Sequence, residues 1–397
     1  MRKIIVLLVL AMLLLGSVPV YAMPSISGKS AVLIDTVSGQ VLYEKEKDQK
    51  MHPASTTKIL TAIIAIESGR LKDTVTIGPN PCRIGGTRVY LEEGERITLE
   101  ELVQAALVHS ANDAAMAIAE FIGGTEEKFV QIMNNKAAEI GALNSNFSNS
   151  HGLSADDHYS TAYDLALIGR YAMKNEIFRQ FAASKVLDWE GQAWQTRLIN
   201  INKMLWNYDG ANGVKTGYTT KAKYTIVASA ERDSRSYIAV VLGCSANEHW
   251  QDASKLLDYG FKNFQQVKLT NPREVVATLE LNENDQLQVM PRQELCLSLP
   301  TKAEKVIESR LFFQPLQDDI ALGQVVGEQV IIIDGEEAGR IELVAANEIK
   351  QPTQPFYYKL IYLLAGLFVL QVIWRILRNF IRKNKRRMRY SRRSWNY

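Results

Sequence analysis

Two apolar runs, Ala31-Val-Leu-Ile-Asp35 and Gln40-Val-Leu-Tyr43, flank the turn Thr36-Val-Ser-Gly39, the pattern of a β-hairpin. The period then becomes helical. Ile59, Leu60, Ile63, Ile64 and Ile66 give a broad apolar face to a segment that begins at Ser55, just after Pro53, and stops at Gly69. A helix that is apolar nearly all round predicts a buried, central position with a rigid N-terminus. Thr98-Leu-Glu-Glu101 reads as a capping box opening a helix through Val108. Asn112 or Asp113 suits the cap of the next helix, which ends at Gly123-Gly124. Further helices are expected over about 126–140 and 162–173, separated by a loop with Asn149-Ser-His-Gly-Leu153 and His158-Tyr-Ser-Thr-Ala162. Tyr224-Thr-Ile-Val-Ala-Ser229 and Tyr237-Ile-Ala-Val-Val-Leu242 bracket a polar turn, a second hairpin that places the preceding Lys215 stretch on a strand of the same antiparallel sheet. A helix over 250–259 closes the unit near Phe264. The prediction is an α/β domain, its antiparallel sheet covered by helices.

From Val267 to Ile349 short β-rich runs alternate with polar turns, the pattern of a small all-β domain. Gln351-Pro-Thr-Gln-Pro355 reads as a linker. Leu360 to Trp374 carries no charge; with Phe356 to Lys359 this is roughly 28 Å of helix, close to the hydrocarbon thickness of a bilayer. Aromatic residues at its start and a basic block after it fit a membrane anchor over 356–377 with a cytoplasmic tail over 378–397. At the other end, Arg2-Lys3, the aliphatic run Ile4 to Leu15 and Val20-Tyr21-Ala22 have the three parts of a secretory signal over 1–22. The expected division is a first domain over 23–265, a β-rich domain over 266–350, linker, anchor and tail, with the folded part exported and held at the outer face of the membrane.

Composition refines this outline. A chain of 397 residues, 47% hydrophobic, can bury more than one core. The net charge of +3 hides an asymmetry: ten Lys or Arg and no acid lie between Arg375 and Tyr397, and 34 basic face 43 acidic residues between Met23 and Trp374. The basic block follows an apolar helix and does not lie on a folded face, so no nucleic-acid partner is expected. Cys82, Cys244 and Cys296 are odd in number and far apart, which argues against a disulfide framework and suggests small buried hydrophobes. No Cys or His spacing points to a metal, and no cofactor is expected.

The candidate chemistry is carried by three short motifs in a fixed order. Ser55-Thr56-Thr57-Lys58 is the only Ser-x-x-Lys in the chain, Ser110-Ala111-Asn112 follows, and Lys215-Thr216-Gly217 is the only Lys-Thr-Gly. This ordered set is known from β-lactamases and penicillin-binding proteins. Ser55 at a helix start is a nucleophile at the positive end of the dipole, and Lys58, three residues on, shares its face. To act as a base Lys58 must be neutral, which from its reference pKa costs about 4.6 kcal/mol at pH 7 unless burial or a second cation lowers it. Lys215 suits that second cation. Ser110 suits a proton relay, and the Asn112 amide suits holding Lys58 and binding a substrate carbonyl. The Ser55 N–H with that of Tyr218 suits an oxyanion hole; Gly217 permits close backbone approach, and Lys215 with Thr216 suits a terminal carboxylate. His151 and His158 read as structural, and Trp194 and Trp206 as core.

These motifs, with Pro53-Ala-Ser-Thr-Thr-Lys-Ile-Leu-Thr61, Gly85-Gly-Thr to Glu93-Gly-Glu95, Ser110-Ala-Asn-Asp-Ala-Ala115, Asn149-Ser-His-Gly-Leu153 and Gly213-Val-Lys-Thr-Gly217, make the chain resemble the low-molecular-mass penicillin-binding proteins, the serine D-alanyl-D-alanine carboxypeptidases, from about Ser25 to Ile349. The resemblance implies a transpeptidase-like (β-lactamase-like) fold, a β-rich second domain and a C-terminal membrane anchor. It implies attack by Ser55 on the penultimate D-Ala carbonyl of a peptidoglycan stem peptide, release of D-Ala, hydrolysis of the acyl-enzyme, and acylation by β-lactams. Two positions depart from the pattern. Many relatives have His after Lys-Thr-Gly, where this chain has Tyr218, and relatives often carry an Arg shortly before the closing helix, where Ser245-Ala-Asn-Glu-His249-Trp250 has none. Two other readings remain at this stage. A class A β-lactamase needs a Glu-x-x-Leu-Asn loop, but Ile140 stands at the Glu position before Leu143-Asn144; an anchored β-lactam sensor would want a cytoplasmic domain that the short tail does not offer.

Overall fold

The computed structural model describes residues 23–245, 248–281, 285–302, 304–316, 319–350 and 356–391. The expected signal segment, the linker and the end of the basic tail lie outside them. By compactness the chain divides into two units, one reaching Pro272 and adding Gln293–Arg310 and Val330–Arg340, the other holding Arg273–Arg292, Leu311–Gln329 and the chain from Ile341.

In the first unit β1 (Ser30–Asp35) and β2 (Val41–Lys45) form the expected hairpin. A 3₁₀ turn, Ala54–Thr57, holds Ser55 and runs into α1 (Lys58–Glu67), in which every residue except Glu67 is buried. The β3 (Thr74–Thr76) and β4 (Arg96–Thr98) pair encloses α2 (Pro79–Arg83). α3 (Leu99–Val108) opens with the expected capping box: the Thr98 hydroxyl accepts from the Glu101 N–H, and the Glu101 carboxylate accepts from the Thr98 N–H. α4 (Asn112–Gly123) and α5 (Glu126–Ile140) follow. Neither Asn112 nor Asp113 caps α4, because both side chains are drawn elsewhere: Asp113 accepts from the backbone N–H groups of Val89 and Leu91, and Asn112 is engaged in the site described below. Thr161 caps α6 (Ala162–Lys174) and Asn175 caps α7 (Glu176–Ala183).

The hairpin of β5 (Val186–Glu190) and β6 (Gln195–Ile199) and the one-turn α8 (Met204–Asn207) had no clear signal in the sequence. The hairpin buries only Trp189 and Leu198, and its other apolar residues, Val186, Leu187 and Ile199, do not alternate with polar ones at a strand's period. β7 (Ala211–Thr219), β8 (Lys223–Arg232) and β9 (Arg235–Cys244) complete the main sheet, in the order β2-β1-β9-β8-β7, with all its pairs antiparallel. α9 (Glu248–Asn263) closes it.

Both faces of this sheet are covered, which is why its strands read as nearly continuous apolar runs. On one face Val32, Ile34, Val227, Ile238 and Val240 pack with α1 and the other helices that follow it; on the other Ala31, Leu33, Ala228, Ala239 and Val241 pack with Leu256, Leu257 and Phe261 of α9. The core layer around α1 holds the Ser55 turn against the sheet, and β7 carries Lys215 along the sheet's edge, opposite Val227 of β8.

The β-rich part contains β10 (Phe264–Lys268), β11 (Ala277–Glu280), β12 (Gln286–Pro291), β13 (Cys296–Pro300), β14 (Ile307–Phe313), β15 (Val325–Ile333) and β16 (Glu336–Ala345). β10 pairs with β13, and the others form a sheet of order β11-β12-β16-β15-β14. In the second unit Leu287, Val289, Ile320, Val326, Leu343, Ala345 and Ile349 form its core. α10 (Phe356–Ser391) is the one helix among the described residues long and apolar enough to cross a membrane, over Tyr358–Lys383. It continues without a break beyond Leu377, where the sequence pattern ended the anchor, because the basic residues that follow are good helix formers. Of the three cysteines Cys244 is fully buried, as expected, Cys82 is partly buried against the main core and Cys296 is partly buried, and all three are free thiols.

Phe129 of α5 is fully buried in the main core. Phe129→Ala is expected to lower stability by about 3–5 kcal/mol, read as a lower urea midpoint with unchanged slope.

Candidate active site

The site begins with where Lys58 can go. Its side chain is wholly buried, and its ammonium reaches three groups: Ser55 Oγ at 3.1 Å, Asn112 Oδ1 at 2.7 Å and the His151 carbonyl at 2.6 Å. Two of these three, an amide oxygen and a carbonyl, can only accept. Ser55 alone can also donate. When Lys58 is neutral its two N–H bonds are therefore held by Asn112 and His151, and its lone pair is left to the Ser55 hydroxyl. Burial, and then the charge of Lys215, hold the Lys58 pKa well below the usual lysine range against the opposing pull of Asp113. The expectation that Lys215 is the neighbouring cation agrees with this.

Lys215 is itself buried, donates to the Thr216 carbonyl at 2.9 Å, and is lowered to about 7 by burial. Thr216, Gly217 and Tyr218 continue along β7 and, with Ser55 and Ser110, line a cleft of about 390 Å³. Lys58, Asn112 and Lys215 lie behind that lining. A Cβ on Gly217 would come within 2.6 Å of the Ser55 backbone nitrogen, so the glycine is needed first for the strand's own approach to the nucleophile turn. Tyr218 is exposed and begins a row of rings: its centroid lies 4.6 Å from Tyr224, which stacks on His249 at 4.8 Å, and His249 lies 4.2 Å from Trp250.

Ser110 holds a left-handed backbone conformation, φ +65°, in the connection between α3 and α4. The Gly85–Thr87 segment steadies this corner. The Asn112 Nδ2 donates to the Gly85 carbonyl at 2.7 Å and its backbone N–H donates to the Thr87 carbonyl at 2.8 Å. Gly86, at φ +85°, has Asn112 Nδ2 only 2.6 Å from where a Cβ would stand. The Asn112 amide thus has one N–H left beyond its contacts with Lys58 and Gly85.

The 149–153 loop is the part of the site that motif reading placed least well. Besides the His151 carbonyl it supplies Gly152, at φ +87°, where a Cβ would stand 1.9 Å from the Ala54 carbonyl. The Thr61 hydroxyl donates to the Ser150 carbonyl at 2.6 Å, and Ser154 meets Thr219 at 2.7 Å. The side chains of His151 and His158 are structural, as expected. His158 Nδ1 accepts from the Ser148 N–H, so Nε2 carries the proton and donates to Thr57 Oγ1 at 2.9 Å; burial lowers its pKa to about 4 and keeps it neutral. Asp113 was expected only as a possible helix cap, Gly152 only as part of the Asn149-Ser-His-Gly-Leu153 motif, and the His151 carbonyl not at all. Trp194 packs on the core, but Trp206 is half-exposed under the Lys185 ammonium, because the short α8 leaves it at the surface.

Comparison with known proteins follows the same lines. The family model described as D-alanyl-D-alanine carboxypeptidase matches residues 18–246, and that of the penicillin-binding protein 5 C-terminal domain matches 264–351. The D-alanyl-D-alanine carboxypeptidase DacF of Bacillus subtilis is 34% identical, over 81% of this chain and 86% of its own length. The D-alanyl-D-alanine carboxypeptidase DacA of Escherichia coli is 32% identical over 85% of this chain and 87% of its own. The crystal structure of penicillin binding protein 5 from Haemophilus influenzae superposes with a TM-score of 0.74 at 28% identity, covering 83% of this chain and 100% of its own.

Gly152→Ala is expected to displace the nucleophile turn: labelling of the protein by a fluorescent penicillin should fall at least tenfold, about 1.4 kcal/mol. A second expectation follows from Lys215, whose folded pKa of about 7 lies below its unfolded value of about 10.4. The unfolded chain binds the extra proton between those values, so this contribution to stability is fullest above about pH 10.4 and declines as pH falls to about 7. The rise of Tm from pH 7 to pH 10 should be shallower in Lys215→Met than in the wild type.

Proposed function

The chain belongs to the D-alanyl-D-alanine carboxypeptidase family, and from that membership we propose that Ser55, Lys58, Ser110, Asn112 and Lys215 are its catalytic residues, with Thr216, Gly217 and Tyr218 binding substrate. It is a serine-type carboxypeptidase of the penicillin-binding class, a hydrolase. The observation that carries the assignment is the pairing of Lys58 with one group that can donate and two that can only accept.

In this mechanism neutral Lys58 takes the Ser55 proton as Oγ attacks the carbonyl carbon of the penultimate D-Ala in a peptidoglycan stem peptide. Oxyanion charge develops against the Ser55 and Tyr218 N–H groups. The C–N bond breaks as the leaving amine takes a proton, relayed from Lys58 through Ser110. Water, deprotonated by the same lysine, then cleaves the ester and restores Ser55. Lys215 acts at two points. Its charge lowers the Lys58 pKa, and with Thr216 it steadies the substrate end. A β-lactam ring presents the same carbonyl to Ser55 and forms an ester there.

The domain division proposed is 23–265 for catalysis and 266–350 for the β-rich part, which the match to the penicillin-binding protein 5 C-terminal domain over 264–351 supports. The length and apolarity of α10 support anchoring in lipid, and the basic block after it supports a cytoplasmic tail with the catalytic domain on the outer face of the membrane.

The test is D-alanine release from diacetyl-L-lysyl-D-alanyl-D-alanine by the full chain in detergent. Ser55→Ala should abolish both release and penicillin labelling, and Lys58→Ala should lower acylation by about 10²–10⁴-fold. Full release by Ser55→Ala would remove the serine from its role.

A further inference from the structure

The cleft lining is electrostatically one-sided. It holds no Asp or Glu and a single Lys or Arg, Lys203. Lys203 is exposed, and among the described residues no carboxylate pairs with it. Lys215, by contrast, is buried behind the lining with its ammonium turned to the Thr216 carbonyl, and burial leaves it only partly charged near neutral pH.

The backbone under Lys203 is a built turn. Asn200 Oδ1 accepts from the Asn202 N–H at 2.9 Å, Asn202 Oδ1 accepts from the Met204 N–H at 3.2 Å, and Asn200 Nδ2 donates to the Ser184 carbonyl at 2.8 Å. Both asparagines are buried, and the Ile201 N–H donates to the Val108 carbonyl at 3.3 Å, at the end of α3 just before Ser110. Two buried amide side chains thus fix the start of α8 and leave one long cation directed to water at the cleft. Beside it on the lining is His249, 2% exposed with an unpartnered Nδ1, and burial holds that ring neutral with its pKa near 4. The segment that enters α9, Ser245 to His249, contributes no Lys or Arg of its own.

A peptide ending in D-alanine brings a carboxylate into this lining, and a carboxylate leaving water needs a charged donor. We propose that Lys203, on the same lining as Thr216, joins Thr216 and the buried Lys215 in binding the terminal carboxylate of the acyl-D-alanyl-D-alanine substrate, supplies the full charge there, and thereby sets the enzyme's preference for a free C-terminus. This deepens the carboxypeptidase reading and rests on it. Ser55 and Lys58 do the chemistry; Lys203 selects which peptide ends are seated for it. A charged hydrogen bond of this kind corresponds to roughly a tenfold or larger effect on binding.

The experiment uses the full chain in detergent and a matched pair of diacetyl-L-lysyl-D-alanyl thioesters, one with a thioglycolate leaving group and one with its carboxamide. The thioester bond is reactive enough for both to turn over, and the acid carries the only carboxylate. Lys203→Met is expected to lower kcat/KM on the acid about tenfold or more, through KM with kcat nearly unchanged. Lys203→Glu should lower it further, and Lys203→Arg should stay near the wild type. On the carboxamide the wild type and all three variants should agree. Unchanged kcat/KM for Lys203→Met on the acid, or an equal loss on both thioesters, overturns the proposal. A wild type that hydrolyses neither thioester counts against the carboxypeptidase reading itself, so the two failures are distinguishable.

Discussion

Lys58 has lost its water, and most of the first unit can be understood from what replaces it. An isolated buried ammonium is so costly that a lysine in this position neutralises unless partners compensate. Here the partners are few and chemically unequal. Asn112 Oδ1 and the His151 carbonyl hold the amine in place without being able to give it a proton, and the Ser55 hydroxyl is the one neighbour that can. Desolvation and the nearby Lys215 push in the same direction, toward the neutral amine. The amine is thereby left with its lone pair toward the one hydroxyl beside it, the condition that the proposed general base requires.

That arrangement draws on four separate parts of the chain, and each is fixed by its own device. The Ser55 turn is seated by Thr225 donating to the Pro53 carbonyl and by the close approach of Gly217 and Gly152 to Ala54 and Ser55. The Asn112 corner is fixed by Gly85 and Thr87, and Asp113 ties the same helix start to Val89 and Leu91. His151 is carried by a loop that Glu126 holds through Ser150. The sheet supplies Lys215 from its edge strand, where one side of the backbone stays open to a ligand. The glycines at 152 and 217 are therefore distance requirements: each lets two backbone segments come closer than a side chain allows.

The cleft joins this buried machinery to a lining of different character. Rings from Tyr218 to Trp250 form one wall, and Lys203 is its single cation. Tyr218 follows Lys-Thr-Gly and no Lys or Arg lies between Ser245 and His249, so neither element adds charge to the lining. The unpartnered Nδ1 of His249 is part of the same lining, and its ring, kept neutral by burial, adds no charge to compete with that of Lys203.

Much of this was legible in the residues alone. Strong apolar patterns gave α1 and the β8–β9 hairpin, and Thr98-x-x-Glu101 gave a helix start, because each depends on neighbours a few positions apart. The order Ser55-x-x-Lys58, Ser110-x-Asn112, Lys215-Thr216-Gly217 gave the candidate chemistry, because catalytic side chains are a matter of residue type. The β5–β6 hairpin stayed hidden because only Trp189 and Leu198 of its apolar residues face inward, and Trp206, read as core, stands at the surface on a helix of a single turn whose buried residues are Met204 and Leu205. What only the tertiary structure decided was the third partner of Lys58, a backbone carbonyl, the hold of Asp113 on Val89 and Leu91, the close approach of Gly152 to Ala54, and the place of Lys203 on the cleft lining. A carbonyl is present at every residue and carries no sequence signal, so which one meets a buried amine is settled only when loops distant along the chain pack together.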